Sequence, residues 1–227
     1  MANSTYTQQT SKPLHPNMKE PGPKLSRRVA VIGAGPAGLA TMKELMEQGH
    51  EVFAFEASMG TGGVYRSHYG ALRLTSSNLT TSFGSYSDGK EAQPVIWNRD
   101  EYLAYLDAYA KRFNLYENLR LGTFVTRVEP LPQTKSWRVH WRDSSNTDNV
   151  GFVEVDCVAI CSGVHSEPKM PHFPGLETFD GRIQHSSTFL SEENLEGGTR
   201  PSDRPGRKRL RYRTLGGANR RRGGSFD

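Results

Sequence analysis

Arg28-Val29-Ala30-Val31-Ile32 is a short apolar run that stops at Gly33, which predicts a buried strand. Leu39, Ala40, Met42, Leu45 and Met46 then recur at helical spacing as far as Gly49, a natural C-terminal stop. Glu51-Val52-Phe53-Ala54-Phe55 predicts a second strand, closed by Glu56. Further on, Tyr102, Leu106, Tyr109, Ala110 and Phe113 predict a helix over 100–113. Stretches 119–128, 137–141 and 152–160 read as strands. The polar run 143–149 forms a hairpin loop between the last two.

Outside this patterned region the chain changes character. Residues 1–27 are polar, with Pro13, Pro16, Pro21 and Pro23, and read as a disordered arm rather than an amphipathic targeting segment. Residues 197–227 hold ten basic and two acidic side chains with seven glycines, too few apolar groups for a core, and read as a disordered tail. That tail carries a charge of +8 and leaves residues 1–196 at −3, although the whole chain is +5. The basic pI of 9.2 therefore gives no reason to expect nucleic acid on the folded part, 28–196.

Composition excludes other classes. No apolar run approaches the ~20 residues of a membrane span. Cys157 and Cys161 would lie roughly 13 Å apart on one strand, too far for a disulfide, and read as buried small hydrophobes. Two cysteines and no secretory layout point to a reducing, cytoplasmic setting. The seven histidines show no metal-ligand spacing with the cysteines, so no metal site is expected. No Gly-x-Ser-x-Gly elbow and no Cys-x-x-Cys pair occur, against a hydrolase or a dithiol reductase.

The chemistry sits between the first two strands. Gly33-Ala34-Gly35-Pro36-Ala37-Gly38 follows a strand, opens a helix, and precedes Glu56 by 18 residues from its last glycine. In that context GxGxxG reads as a dinucleotide turn. Gly33 permits the tight turn, Gly35 a close approach of backbone to diphosphate, and Gly38 tight helix–strand packing. The opening N–H groups and dipole of the helix face the phosphates. Glu56 accepts the ribose hydroxyls and repels a 2′-phosphate, which favours FAD or NAD over NADP at this turn. A second glycine group, Gly60-Thr61-Gly62-Gly63-Val64-Tyr65-Arg66, suits a longer cofactor running past it.

Together these residues resemble the FAD-binding half of the flavin-containing monooxygenases. The likeness continues through Leu72-Arg73-Leu74-Thr75-Ser76-Ser77-Asn78, the segment 97–106 from Trp97, and Val158-Ala159-Ile160-Cys161-Ser162-Gly163. It closes at Phe179, Gly181, His185 and Phe189, which fit FxGxxxHxxx[YF]. Phe189 stands where the Baeyer–Villiger branch carries Trp. In departure from the family, Tyr65 stands where Trp is usual, Val64 is smaller than the usual Leu, and Cys161-Ser162-Gly163 replaces Ala-Thr-Gly.

The resemblance implies an α/β, glutathione-reductase-like Rossmann domain: a parallel sheet, one crossover helix and an inserted β-meander, truncated at its C-terminal end. It implies FAD held by Gly33, Ala34, Gly35, Pro36, Ala37, Gly38 and Glu56. Gly63, Val64, Tyr65, Ser77, Asn78, Ser162 and Gly163 belong near the flavin end, and Val125, at a strand end, near the adenine. It implies NADPH as reductant, O₂, and N- or S-oxygenation of a small nucleophile through a C4a-hydroperoxyflavin, with Asn78 assisting. His185 reads first as a structural histidine.

A second strand–GxGxxG–helix for NADPH is absent from the sequence. The alternative is thus a non-catalytic FAD-binding fragment or pseudoenzyme. For the tail, a reading frame shifted by one nucleotide across 203–215 can encode a GxGxxG turn, so an out-of-frame extension is expected. The rival is an RNA- or membrane-binding tail.

Overall fold

The computed structural model describes residues 25–191, apart from 88, 90–92, 165, 166, 180 and 182. Most of the predicted arm and all of the predicted tail lie outside the described residues. Ser26 and Arg27 already belong to the domain: the Ser26 hydroxyl donates to the Gly49 carbonyl and the Arg27 N–H to His50 Nδ1.

Strands β1 (Arg28–Ile32) and β2 (Glu51–Phe55) lie parallel, with helix α1 (Pro36–Glu47) crossing between them. Pro36 fits the first turn of α1, where its missing N–H costs nothing. The chain continues through two single turns, α2 (Val64–Ser67) and α3 (Asn78–Thr81), into α4 (Arg99–Arg112). Asn98 and Glu101 form a reciprocal capping box at the start of α4, which sets this boundary. Helix α4 is a second crossover, beyond the single one predicted, because β3 (Leu119–Arg120) returns parallel to β2.

The predicted strand over 119–128 is two strands. The chain turns at Gly122, φ +60°, and Thr123–Leu131 (β4) leaves the parallel sheet to start an antiparallel meander with β5 (Ser136–Asp143) and β6 (Val150–Val155). The predicted strand over 152–160 divides likewise at Asp156, whose carboxylate accepts the Arg28 N–H. Beyond it β7 (Cys157–Ile160) pairs parallel with β1, giving the order β3-β2-β1-β7. Alternating hydrophobicity cannot report such a change of sheet, because both halves of each run keep the same period. The hairpin loop stands as predicted, with Asp143 Oδ1 gathering N–H groups of Ser145 and Asn146.

The period of two divides the core. Val31, Val52 and Ala54 face α1 and α4, meeting Leu39, Met42, Leu106 and Tyr109. Ala30 and Phe55 face the meander, meeting Val139 and Val155. The result is three layers: helices, parallel sheet, meander. Each fully buried Leu or Met adds roughly 1.5–3 kcal/mol.

Candidate functional site

Parallel register brings three strand ends together. Ile32 is level with Phe55 of β2 and Ile160 of β7, so Gly33, Glu56 and Cys161 emerge side by side. Gly33 N–H donates to the Phe55 carbonyl at 2.8 Å, and Cys161 N–H to that of Ile32 at 2.8 Å. In open α/β sheets, ligands bind outside such carboxyl ends.

The two outer glycines of the turn are sterically required. A Cβ on Gly33, φ +101°, would lie 2.5 Å from the Cys161 carbonyl oxygen. One on Gly38 would lie 1.9 Å from the Gly33 carbonyl oxygen. Gly35 caps α1 with no side-chain hydrogen bond, and no acid occupies the first turn, so backbone N–H groups alone face outward from that helix end.

The second glycine group is packed onto the first rather than lying apart as a surface turn. Gly62 N–H donates to the Ala34 carbonyl at 3.0 Å. A Cβ on Gly63, φ +57°, would approach the Gly35 Cα to 3.0 Å. Only paired glycines allow two backbones this close.

Glu56 is buried at the same place. Its Oε2 accepts the Ala34 N–H at 2.8 Å, inside the glycine turn. Its Oε1 accepts the N–H of Ser58 at 2.9 Å and its hydroxyl at 2.7 Å. The acid and the turn, 22 positions apart in sequence, are thus in direct contact.

The remaining predicted residues divide into two groups. Ser162 and Gly163 follow β7 beside the Gly33 turn and are exposed. Val64 and Tyr65 form α2 directly after Gly63, with the Tyr65 ring edge-on to Tyr102 at 4.8 Å. Val125 sits third in β4, not at a strand end, and packs against the meander core. It lies two residues beyond Thr123, whose N–H donates to the Glu56 carbonyl.

Ser77 and Asn78 are held by a different set of bonds. Asn78 is buried; its N–H donates to the Val95 carbonyl and its Oδ1 accepts the Val95 N–H, both at 2.8 Å. Its side chain closes the loop before α4. His185 caps its own short turn, its Nδ1 accepting the Ser187 N–H at 3.1 Å, which agrees with a structural role. Cys157 is exposed, contrary to expectation, because β7 is a sheet edge; both cysteines are unbridged.

The sequence reading passed over the residues that hold the second loop in place. Ser58 Oγ bonds the Glu56 carboxylate and the Gly60 carbonyl, and a Ser two positions after the acid was the available signal. The Tyr116 hydroxyl donates to Asp107 of α4 at 2.6 Å and meets the Thr61 hydroxyl at 3.4 Å. Burial raises the Asp107 carboxyl, but the bonds from Lys111 and Tyr116 outweigh it and hold the group below its ordinary value. Nothing in local sequence links 61, 107 and 116.

Among the described residues no helix is long and apolar enough to cross a membrane, and no group of three or more His, Cys, Asp or Glu could hold a metal ion.

Comparison with known proteins converges on one family. The model for flavin-binding monooxygenase-like proteins matches residues 26–199. A 4-hydroxybenzoate brominase (decarboxylating) of Pseudoalteromonas luteoviolacea is 34% identical over 175 residues, covering 76% of this chain and 33% of the relative. The flavin-containing monooxygenase FMO GS-OX-like 6 of Arabidopsis thaliana is 34% identical over 203 residues, covering 76% and 42%. Among solved structures, S-allyl-L-cysteine S-oxygenase from Allium sativum superposes with a TM-score of 0.68 at 26% identity, covering 75% of this chain and 44% of that one. An oxidized steroid monooxygenase bound to NADP gives 0.56 at 30% identity, covering 72% and 31%. The chain thus spans about a third to somewhat under half the length of these relatives.

Proposed function

Because the chain belongs to the flavin-binding monooxygenase-like family, we propose that residues 28–196 hold the FAD of a monooxygenase that oxygenates small nitrogen- or sulfur-containing nucleophiles. The observation that carries this reading is the contact of Glu56 with the glycine turn at 2.8 Å, in a turn packed so closely that Gly33 and Gly38 leave no room for a side chain. FAD fits these donors: backbone N–H groups at an uncapped helix end for its diphosphate, and a buried carboxylate for its ribose.

Bound FAD supplies the redox chemistry by which NADPH and O₂ oxygenate a substrate. The chain's own residues bind and orient. The N–H groups of Gly35 and Ala37 would face the diphosphate, and Glu56, its carboxylate fixed by the Ala34 N–H, would accept the ribose hydroxyls. The paired loops of Gly35 and Gly63 leave backbone alone along the cofactor's path. Tyr65, Val64, Ser162 and Gly163 would wall the flavin end. Asn78, held by Val95, would offer its amide to the flavin end. Sulfur as the oxygenated atom agrees with the Allium relative, whose name is that of an S-oxygenase. Lack of a membrane-crossing helix among the described residues and two free cysteines support a cytoplasmic setting.

A second reading is an FAD-binding module without turnover. It is favoured by the described residues themselves, which hold one glycine turn of this kind, at 33–38. Loading the protein with FAD and adding NADPH under air separates the two. NADPH consumption with oxygenation of a thioether supports the enzyme, loaded but inert protein supports the module, and protein that takes up no flavin contradicts both.

A further inference from the structure

Tyr65, at the flavin end of the proposed site, opens a chain of oxidisable rings whose other members have no part in holding a cofactor. Tyr65 follows Gly63 and touches Tyr102 at 4.8 Å between ring centroids. Tyr102 stacks on Trp97 at 5.6 Å, Trp97 on Tyr105 at 4.7 Å, and Tyr105 meets Tyr86 at 5.4 Å. Tyr102, Trp97 and Tyr105 are buried, at 3%, 3% and 6% exposure, while Tyr65 and Tyr86 at the two ends are partly open to solvent. Every link is a phenol or an indole, the most easily oxidised aromatic side chains. Phe83 and Phe113 pack alongside but form no link.

We propose that Tyr65, Tyr102, Trp97, Tyr105 and Tyr86 form a relay that carries oxidising equivalents away from the flavin-binding loop to the protein surface. The proposal rests on the reading that this loop holds FAD. Packing alone does not call for hydroxyls here, since Phe would fill the place of Tyr102 without the cost of desolvating a phenol. Successive ring centroids 4.7–5.6 Å apart give an unbroken path for electron tunnelling, whereas a core selected only for volume has no need of one.

The oxidant is a hydroperoxyl radical, formed when O₂ takes one electron from reduced flavin and one proton from solvent without a substrate to oxygenate. It takes one electron from Tyr65 and one proton from solvent and becomes hydrogen peroxide. Tyr65 is refilled by Tyr102, Tyr102 by Trp97, Trp97 by Tyr105 and Tyr105 by Tyr86. Net, Tyr86 loses one electron and its phenolic proton passes to water, leaving a tyrosyl radical at the surface. The Tyr105 hydroxyl donates to the Tyr86 carbonyl at 2.9 Å and accepts the Phe83 N–H at 2.7 Å, so its proton shifts along the bond to that carbonyl as the electron leaves and returns when Tyr86 refills it.

Flash photolysis of the FAD-loaded full chain tests the relay, with the light-excited flavin as a one-electron oxidant. Transient absorption of the wild type should show reduced flavin, then tryptophanyl and tyrosyl radicals with slow recombination. Trp97→Phe keeps a ring in place and should abolish the long-lived tyrosyl signal. Tyr86→Phe should leave the radical on inner rings and speed its recombination. Radical yield and lifetime unchanged in both variants would overturn the relay alone. A preparation that takes up no flavin would remove the cofactor reading, and the relay with it.

Discussion

Strands β1 and β7 are parallel neighbours that end at the same crevice, yet they are built differently. Val29, Ala30 and Val31 of β1 are buried, with helices over one face and the meander over the other. On β7 Cys157 and Ile160 are exposed, Ile160 at 74%, beside a cleft of about 340 Å³ lined by Val128, Trp137 and Val158. The glycine turn after β1 is locked by Cys161, Phe55 and Gly62. After β7, Ser162 lies against the Gly33 turn, while a Cβ on Gly163 would meet nothing within 4 Å among the described residues. One side of the candidate site is fixed by close contacts within this region, and the other is held chiefly by its attachment to β1.

The largest test of that contrast is at the glycines. Gly38→Val drives a side chain into the Gly33 carbonyl and should cost about 4 kcal/mol or more, abolishing the folded domain in denaturant titrations. Gly163→Ala meets no neighbouring atom and should cost only the ~1–2 kcal/mol of a left-handed residue. Equal losses would erase the distinction. Next, Leu106→Ala under α4 should cost about 2–5 kcal/mol, while Ile160→Ala should stay within about 0.5 kcal/mol in the same titration.

Glu56→Gln keeps an acceptor near Ala34 but removes the charge, and should weaken FAD binding by about 1.5–3 kcal/mol, roughly 10–150-fold, by calorimetry. Asn98→Ala removes half of the capping box and should lower stability by ~1 kcal/mol. The smallest effect is at Asp107. Its carboxyl is depressed in the folded state, so its contribution is present at neutral pH and lost as pH falls through the folded value. Because the group is partly exposed to solvent, Asp107→Asn should remove only ~0.5 kcal/mol, and should flatten the acid limb of the stability curve.

What the sequence disclosed follows the same division. The unit from Arg28 to Glu56 was legible because its strand, turn, helix and acid are consecutive, and each step has its own residue chemistry. The hairpin loop at 143–149 was legible for the same reason. The splitting of 119–128 and 152–160 between two sheets was not, since only tertiary pairing decides where a strand of constant period changes partner. The exposure of Cys157 depends on which strands flank β7. Asn78 was picked out by likeness, but its bonds to Val95 depend on how a loop of 17 residues closes.

The central claim is that the glycine turn and Glu56 together grip an adenine dinucleotide bearing a flavin. Titration of the purified, folded chain with FAD, followed by visible absorption and calorimetry, tests it most directly. The account predicts a yellow complex of one FAD per chain whose affinity falls in Glu56→Gln. A folded protein that stays colourless and binds neither FAD nor any other flavin nucleotide would contradict it.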